Sequence, residues 1–191
     1  MSLKHAILGF LSFKSLSGYD LKKAFAHSIH HFWPANQSQI YRTLAGLKDD
    51  GLVGQEVIER EERLDMKIYH ITEAGQEELH RWLSTPLQAS DSREPFLIQV
   101  YFGGKLSDDE IIDLLQHEIR AAEERLVIYD TMYKQFQELI KTSEDPRATF
   151  LSVTTLEYGI LSNLNVVEWM KSIVERVKNK DYTLRDFHQS S

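Results

Sequence analysis

The feature that most constrains this chain is a long apolar seam in its second half. After Ser107, apolar residues recur at alternating spacings of three and four residues without a break. The members are Ile112, Leu115, Ile119, Ala122, Leu126, Tyr129, Tyr133, Phe136 and Ile140. This spacing predicts one apolar stripe along an α-helix of roughly 50 Å. Ser107 and Glu110 form a capping-box pattern, which indicates where the helix begins.

A second seam follows a break at residues 142–146. Asp145 is a good N-cap, and Pro146 suits the first position of a new helix. The same alternation then runs through Val153, Leu156, Ile160, Asn163, Val167, Met170, Val174 and Val177. A second apolar stripe on this helix contains Phe150, Leu161, Leu164, Trp169 and Ile173. A helix that is apolar on two faces must be covered on both, and a second subunit supplies that cover.

The two seams predict a long antiparallel helical hairpin that dimerises. The residues assigned to dimerisation are Ile112, Leu115, Ile119, Leu126, Tyr129, Tyr133, Phe136, Ile160, Val167, Met170 and Val174. The alternative is that both helices fold onto one another inside a monomer. We place the dimerisation domain at residues 107–180 and a tail at 181–191. Residues 85–106 are interpreted as a linker with a bridging helix, because residues 84–94 are polar and contain Pro86.

The first half has short, varied elements. Helices are predicted at residues 4–11, 19–30 and 37–50, the third capped by Asn36 and ended by Gly51. Strands at 52–58 and 67–72 flank a charged loop, and Thr72 caps a fourth helix that runs to residue 83. This order predicts a winged helix-turn-helix over residues 1–84. The expected fold class is therefore mainly α with a small β-hairpin.

Composition excludes several classes of protein. The 191 residues contain no cysteine, so disulfides, thiolate metal sites and cysteine nucleophiles are excluded. The net charge is −7, but residues 1–84 carry 10 Lys and Arg against 11 Asp and Glu, while residues 85–191 carry 12 against 18. Because the acid lies in the second half, the first can still bind DNA. No apolar run approaches a membrane span and no signal peptide is evident, so we expect a cytoplasmic protein without membrane partners.

The third helix is the candidate DNA-reading helix. Ile40, Leu44 and Leu47 share the inward face, and Ser38 and Arg42 lie opposite them. Arg42 can donate two hydrogen bonds to a guanine edge, and polar groups near the helix start can donate to phosphates. The predicted DNA-binding residues are Gln37, Ser38, Gln39, Tyr41, Arg42, Lys22, Lys23, Arg60, Arg63 and Lys67. Taken alone, this face also fits an ordinary solvated helix.

No constellation indicates catalysis, a cofactor or a metal. His27, His30 and His31 lack further ligands, and helix-end histidines explain them better than zinc does. Gly103, Gly104 and Lys105 lack the spacing of a phosphate loop, so a connection between helices explains them better. We therefore expect no catalytic residues, no cofactor and no bound metal.

An ordered set of segments in the first 85 residues resembles the PadR-like transcriptional regulators. They are AILGFL (6–11), SGYDL (17–21), FW (32–33), SQIYRTL (38–44), GLV (51–53), KIYHITEAG (67–75) and WL (82–83). The long second half resembles the helical dimerisation domain of the larger subfamily. The wing tip departs from the family, in which it is often a short basic turn with proline, since residues 59–66 here read EREERLDM.

The resemblance implies a dimeric repressor that binds an inverted-repeat operator in double-stranded DNA and releases it on a small-molecule or stress signal. It also implies that Tyr41, Arg42 and the wing contact DNA. An effector would bind where the arm meets the winged domain, near Phe96, Tyr101 and Phe102, or across the dimer seam. Two alternatives remain: a winged-helix protein-interaction module with a coiled-coil arm, which the acidic wing favours, and a small-molecule-binding enzyme.

Overall fold

The structure is a computed structural model that describes residues 2–29, 32–59, 66–87 and 93–186. The chain divides into two compact units, the winged unit (residues 1–90) and the helical arm (residues 91–191). In the winged unit the elements are α1 Ser2–Phe13, β1 Leu16–Ser17, α2 Gly18–His27, α3 Gln37–Asp49, β2 Val53–Ile58, β3 Met66–Ile71 and α4 Glu73–Ser84. In the arm they are α5 Pro95–Tyr101, α6 Asp108–Leu139 and α7 Pro146–Lys178, with 3₁₀ turns at Gly103–Lys105 and Ile140–Thr142.

The observed order confirms the predicted fold class, with one element added. β2 and β3 form the expected antiparallel hairpin, in which Val53 pairs with Ile71 and Ile58 with Met66. β1 pairs antiparallel with the other edge of β3, which gives the strand order β1-β3-β2. The sequence did not predict β1, because two residues are too short to show an alternating pattern.

The end of α2 differs from the prediction. The helix stops at His27 rather than at residue 30, because Ser28 adopts φ −129° and ψ −75° outside the helical region. The Ser28 hydroxyl donates to the Ala24 carbonyl at 2.6 Å, which satisfies one of the acceptors left open at the helix end. His30 and His31 lie outside the described residues.

The core of the winged unit is closed by helices α1 to α4 together with the sheet. Its buried members are Ile7, Leu8, Leu11, Leu16, Leu21, Phe25, Ile40, Leu44, Leu47, Val53, Tyr69 and Leu79. Each fully buried Leu or Ile contributes about 1.5–3 kcal/mol relative to an exposed one. Because α3 supplies three of these residues, the core fixes which face of α3 is left for solvent.

Thr72 joins the end of α3 to the start of α4. Its hydroxyl donates to the Gly51 carbonyl at 2.8 Å and accepts from the Gly75 amide at 3.1 Å. Gly51, which follows α3, has φ +70°, a conformation that glycine adopts without a steric penalty. Gly75 packs directly against the Leu52 carbonyl, so a side chain there would collide with the main chain. We call the contacts of Thr72 with Gly51 and Gly75 the Thr72 joint.

The arm is an antiparallel hairpin of α6 and α7. Both predicted starts are confirmed: Ser107 and Glu110 form a capping box, and the Asp145 carboxylate accepts from the Ala148 amide at 2.9 Å. Three polar pairs link the helices in antiparallel register: Arg125 with Asn163, Tyr133 with Glu157, and Lys171 with Glu123. As one residue number of each pair rises, the other falls, which defines the register.

The seams pack against each other within one chain. The buried positions of the arm are Leu115, Ile119, Ala122, Tyr129, Val153, Leu156, Val167, Met170 and Val174. A single chain therefore accounts for the burial of most residues that were assigned to dimerisation, because the facing helix of the same hairpin covers them. A contact with a second chain stays a prediction for the partly exposed members Ile112, Leu126, Tyr133, Phe136 and Ile160.

The second stripe of α7 divides into covered and exposed residues. Trp169 and Ile173 pack against the hairpin core, whereas Phe150, Leu161 and Leu164 are about half or more exposed. α5 belongs with the arm, because Phe96 and Val100 pack against the same core and the Phe96 ring meets Trp169 edge-on at 6.4 Å. No helix in the described part of the chain is long and apolar enough to cross a membrane.

Candidate nucleic-acid interface

The two faces of α3 are separated as the sequence predicts. Ile40, Leu44 and Leu47 are buried in the core, and Ser38 and Arg42 on the opposite side are exposed. Ala45 and Gly46, which are also exposed, leave this face low in profile, so that a groove edge can approach it closely. The α3 outer face therefore consists of the Ser38 hydroxyl, the Arg42 guanidinium and two small residues. The opposite face of the helix is buried in the core.

A capping box fixes the start of α3. The Asn36 side chain accepts from the Gln39 amide, and the Asn36 amide donates to the Gln39 side chain, both at 2.9 Å. Gln39 was predicted to bind DNA, but this side-chain oxygen is committed to the helix cap. Gln37 and Ser38 are exposed on the first turn. Lys22 of α2 donates to the Gln37 side chain at 3.4 Å, which places this lysine beside the start of α3.

Tyr41 lies beside a cleft that α3 shares with α2 and β3. The cleft has a volume of about 450 Å³ and is lined by Ser17, Gly18, Tyr19, Asp20, Tyr41, Met66 and Lys67. Lys67, one of the predicted DNA-binding residues, is exposed at its edge. Ser17 caps α2: its hydroxyl accepts from the Asp20 amide at 3.1 Å and donates to the Asp20 carboxylate at 2.6 Å. The Asp20 charge makes the cleft mixed in sign rather than basic.

Two tyrosines come together behind this cleft. Tyr69 of β3 is buried, and burial raises the pKa of its hydroxyl above the ordinary value. The nearby Tyr41 hydroxyl raises the pKa of Tyr69 further, because two phenolates would repel each other. Tyr69 therefore remains a neutral hydroxyl at physiological pH.

Sequence reasoning missed Tyr19, which lines the same cleft. Its ring lies 4.5 Å beneath the Lys23 ammonium, a cation–π contact that holds this predicted DNA-binding lysine against α2. The available signal was an aromatic residue directly after the Ser17-Gly18 turn. Lys48, also missed, lies near the end of α3 and donates to Gln55 of β2 at 3.4 Å.

The other candidate site residues from the sequence are the wing arginines, the histidines near the end of α2 and the glycine turn before α6. Arg60 and Arg63 of the wing lie outside the described residues. His27 makes a 2.7 Å hydrogen bond with the Lys23 carbonyl of its own helix, and no group of three or more potential metal ligands occurs in the described ranges. Gly103–Lys105 is a 3₁₀ turn before α6.

Of the three aromatic residues proposed near an effector site, Phe96 is partly buried and packs against the arm core. The Tyr101 and Phe102 rings contact each other edge-on at 4.9 Å, and both are largely exposed. Packing therefore accounts for Phe96, while a ligand role for Tyr101 and Phe102 stays a prediction.

Comparison with known proteins identifies the family. Residues 7–81 match the transcriptional regulator PadR-like family, and residues 92–178 match the family described as virulence activator alpha C-term. A probable transcriptional regulator of Mycobacterium tuberculosis is 30% identical over 193 residues, covering 94% of this chain and 100% of that protein. The chain belongs to the PadR-like family of transcriptional regulators. The resemblance seen in the sequence is thereby confirmed.

Other PadR-like proteins extend the comparison to solved structures. The negative transcriptional regulator PadR of Bacillus subtilis is 29% identical over 176 residues, which cover 92% of this chain and 97% of that one. A crystal structure of that PadR in complex with operator DNA has a TM-score of 0.80 and covers 93% of this chain and 99% of its own. The same protein in complex with p-coumaric acid has a TM-score of 0.75 with 92% and 95% coverage. Both of these curated relatives are named as transcriptional regulators.

Proposed function

We propose that this PadR-like regulator represses transcription as a homodimer bound to an inverted-repeat operator and leaves the operator when it binds a small molecule. The observation that carries the proposal is the exposed outer face of α3, held rigidly by three buried residues on its inner face. The Bacillus subtilis relative, which has been solved on operator DNA, supports the same use of this unit. A regulator of this kind binds chromosomal DNA, so a cytoplasmic location is part of the proposal.

The reading head is assigned to Ser38, Tyr41 and Arg42. The Arg42 guanidinium can donate two parallel hydrogen bonds to a guanine edge, a contact worth about 1–3 kcal/mol of discrimination. Ser38 and Tyr41 offer hydroxyl donors to phosphate oxygens, which position the helix without reading sequence. Lys22, Lys23 and Lys67 add positive charge on the flanking elements, where counterion release would strengthen binding.

The dimer contact is assigned to the exposed part of the second stripe on α7. Phe150, Leu161 and Leu164 lie within roughly 60° of arc at 100° per residue, and each is exposed in the single chain. An exposed apolar stripe of this kind is typical of an interface with another protein. Pairing two arms about a two-fold axis would set the reading heads roughly 34 Å apart, or a multiple of that distance.

Release by a ligand is assigned on the relative solved with p-coumaric acid. We expect an aromatic carboxylic acid to weaken operator binding by favouring a dimer whose reading heads are differently spaced. Small-angle scattering of the dimer with and without such acids measures that spacing. Weakened binding at an unchanged spacing would reject this gating mechanism.

The central test is a fluorescence-anisotropy titration against DNA from upstream of the protein's own gene, at two salt concentrations. Arg42→Ala should weaken binding about 10-fold or more, since each tenfold corresponds to about 1.4 kcal/mol. Arg120→Ala is the matched control, because Arg120 is an exposed arginine on α6 in the other unit. Wild-type affinity should fall steeply with salt, as expected when lysines and arginines neutralise phosphates.

Equal effects of the two substitutions would contradict the assignment of α3. Binding that never exceeds the affinity for unrelated DNA would favour the alternative of a protein-interaction module. The specific observation behind that alternative is the acidic segment at residues 59–65, which carries four acids against two arginines.

A further inference from the structure

Gly18 is not required by the geometry of its own helix. It is the first residue of α2, directly after the Ser17 cap, a position that accepts almost any residue. Within the described residues, positive φ angles occur at Gly51 and Lys180, so Gly18 has an ordinary backbone conformation. Neither a turn nor a helix start therefore explains a glycine at this position.

The ring of Tyr41 supplies the reason. A Cβ atom added to Gly18 would lie 2.5 Å from Cε1, 2.6 Å from Cζ and 2.9 Å from the hydroxyl oxygen of Tyr41. The outer half of the ring thus lies directly against the main chain of Gly18. This contact fixes where the Tyr41 hydroxyl is held, next to the start of α2 and on the border of the cleft.

The ring has somewhere to go if it is displaced. Tyr41 is 41% exposed, so a larger residue at position 18 can push the ring outward without opening the core. The atoms that would collide are the far end of a side chain rather than main-chain atoms. A methyl group at position 18 should therefore displace the Tyr41 ring at a modest cost in stability, well below that of a core substitution.

We propose that Gly18 is a positioning residue for DNA binding: by lacking a side chain, it lets the Tyr41 ring lie against the main chain of α2 and so sets where Tyr41 meets the operator. This inference rests on the proposed function, and it gives α2 a part in positioning the Tyr41 side chain of α3. The lysines of α2 contribute charge to the interface, whereas Gly18 contributes by leaving room for the Tyr41 ring.

The test is a double-mutant cycle between Gly18→Ala and Tyr41→Ala, read by operator affinity. Gly18→Ala should weaken operator binding about 10-fold in the wild-type chain and less than about 2-fold in the Tyr41→Ala chain, because the displaced ring is then absent. Tyr41→Phe keeps the ring but lacks the hydroxyl assigned to a phosphate, so operator affinity should lose most of its sensitivity to Gly18→Ala. Gly9→Ala is the control, since a Cβ at Gly9 has no neighbour within 4 Å. An equal loss in the wild-type and Tyr41→Ala chains, or no loss in either, would overturn the proposal.

Thermal unfolding of the same variants separates this inference from the proposed function. The contact predicts that Gly18→Ala lowers Tm in the wild-type chain but not in the Tyr41→Ala chain. If the wild-type protein bound no operator, the DNA-binding role would fall with the proposed function, and the thermal cycle would still test the contact. If the operator bound but neither cycle showed coupling, the role of Gly18 alone would be wrong.

Discussion

The winged unit and the helical arm bury apolar side chains in different ways. In the winged unit, four helices and a small sheet enclose a core of twelve buried residues. In the arm, α6 and α7 bury one seam between them, and part of a neighbouring face of α7 stays exposed and apolar. Short elements in several orientations can close a core, whereas a single layer of two helices leaves outer faces uncovered. The arm is thus the unit that benefits from a second chain.

The largest expected effect comes from the winged core. Leu44→Ala should cost about 2–5 kcal/mol of unfolding free energy, because it removes a fully buried side chain that the surroundings only partly replace. Leu83→Ala, at an exposed leucine of α4, should change stability by less than about 0.5 kcal/mol. Urea unfolding followed by tryptophan fluorescence measures both. Similar losses for the two variants would show that α3 does not carry the core.

The arm should respond differently when its exposed stripe is changed. Leu161→Glu places a charge on a side chain that is 61% exposed, so it should weaken dimerisation at least about tenfold while the hairpin stays folded. Val127→Glu is the matched control, an exposed apolar residue of α6 rather than of the α7 stripe. Analytical ultracentrifugation reports the association state, and circular dichroism reports the helix content. A Leu161→Glu variant that dimerised like the wild type would move the interface elsewhere.

The smallest expected effect lies at the start of the arm. Hydrogen bonds from Ser107 to the Glu110 carboxylate lower the pKa of Glu110. A lowered folded-state pKa contributes stability above the unfolded pKa, and that contribution is lost as pH falls through the folded pKa. Glu110→Gln should therefore lower Tm slightly at about pH 7 and not at about pH 3. Glu124→Gln, at an exposed position of α6 outside the capping box, is the control. A Tm difference that persisted in acid would contradict the ionic origin.

Local signals predicted most of the elements. The caps at Asn36, Thr72, Ser107 and Asp145 could be found because each side chain bonds to an amide three residues later, within one turn of sequence. The faces of α3 followed from the helical period alone. Both kinds of inference depend on neighbours along the chain, so one sequence is sufficient.

Contacts between distant segments could not be predicted in the same way. The pairing of β1 with β3 and the packing of Tyr41 on Gly18 join residues far apart in sequence. No periodic pattern in the sequence indicates these contacts. The sequence identified the apolar seam residues of α6 and α7. The same apolar stripe can pack against a helix of its own chain or against a helix of a second chain, and the sequence does not distinguish the two. Deciding between these requires the three-dimensional positions of both helices.

The Thr72 joint has a mechanical consequence for the reading helix. One hydroxyl bridges the carbonyl that follows α3 and the amide at the start of α4, and Gly75 leaves no gap against the Leu52 carbonyl. Because these contacts leave little free space, we expect a shift at the end of α3 to be passed on to the first turn of α4. We therefore expect α3 and α4 to move together, with the Thr72 side chain as the connection between them.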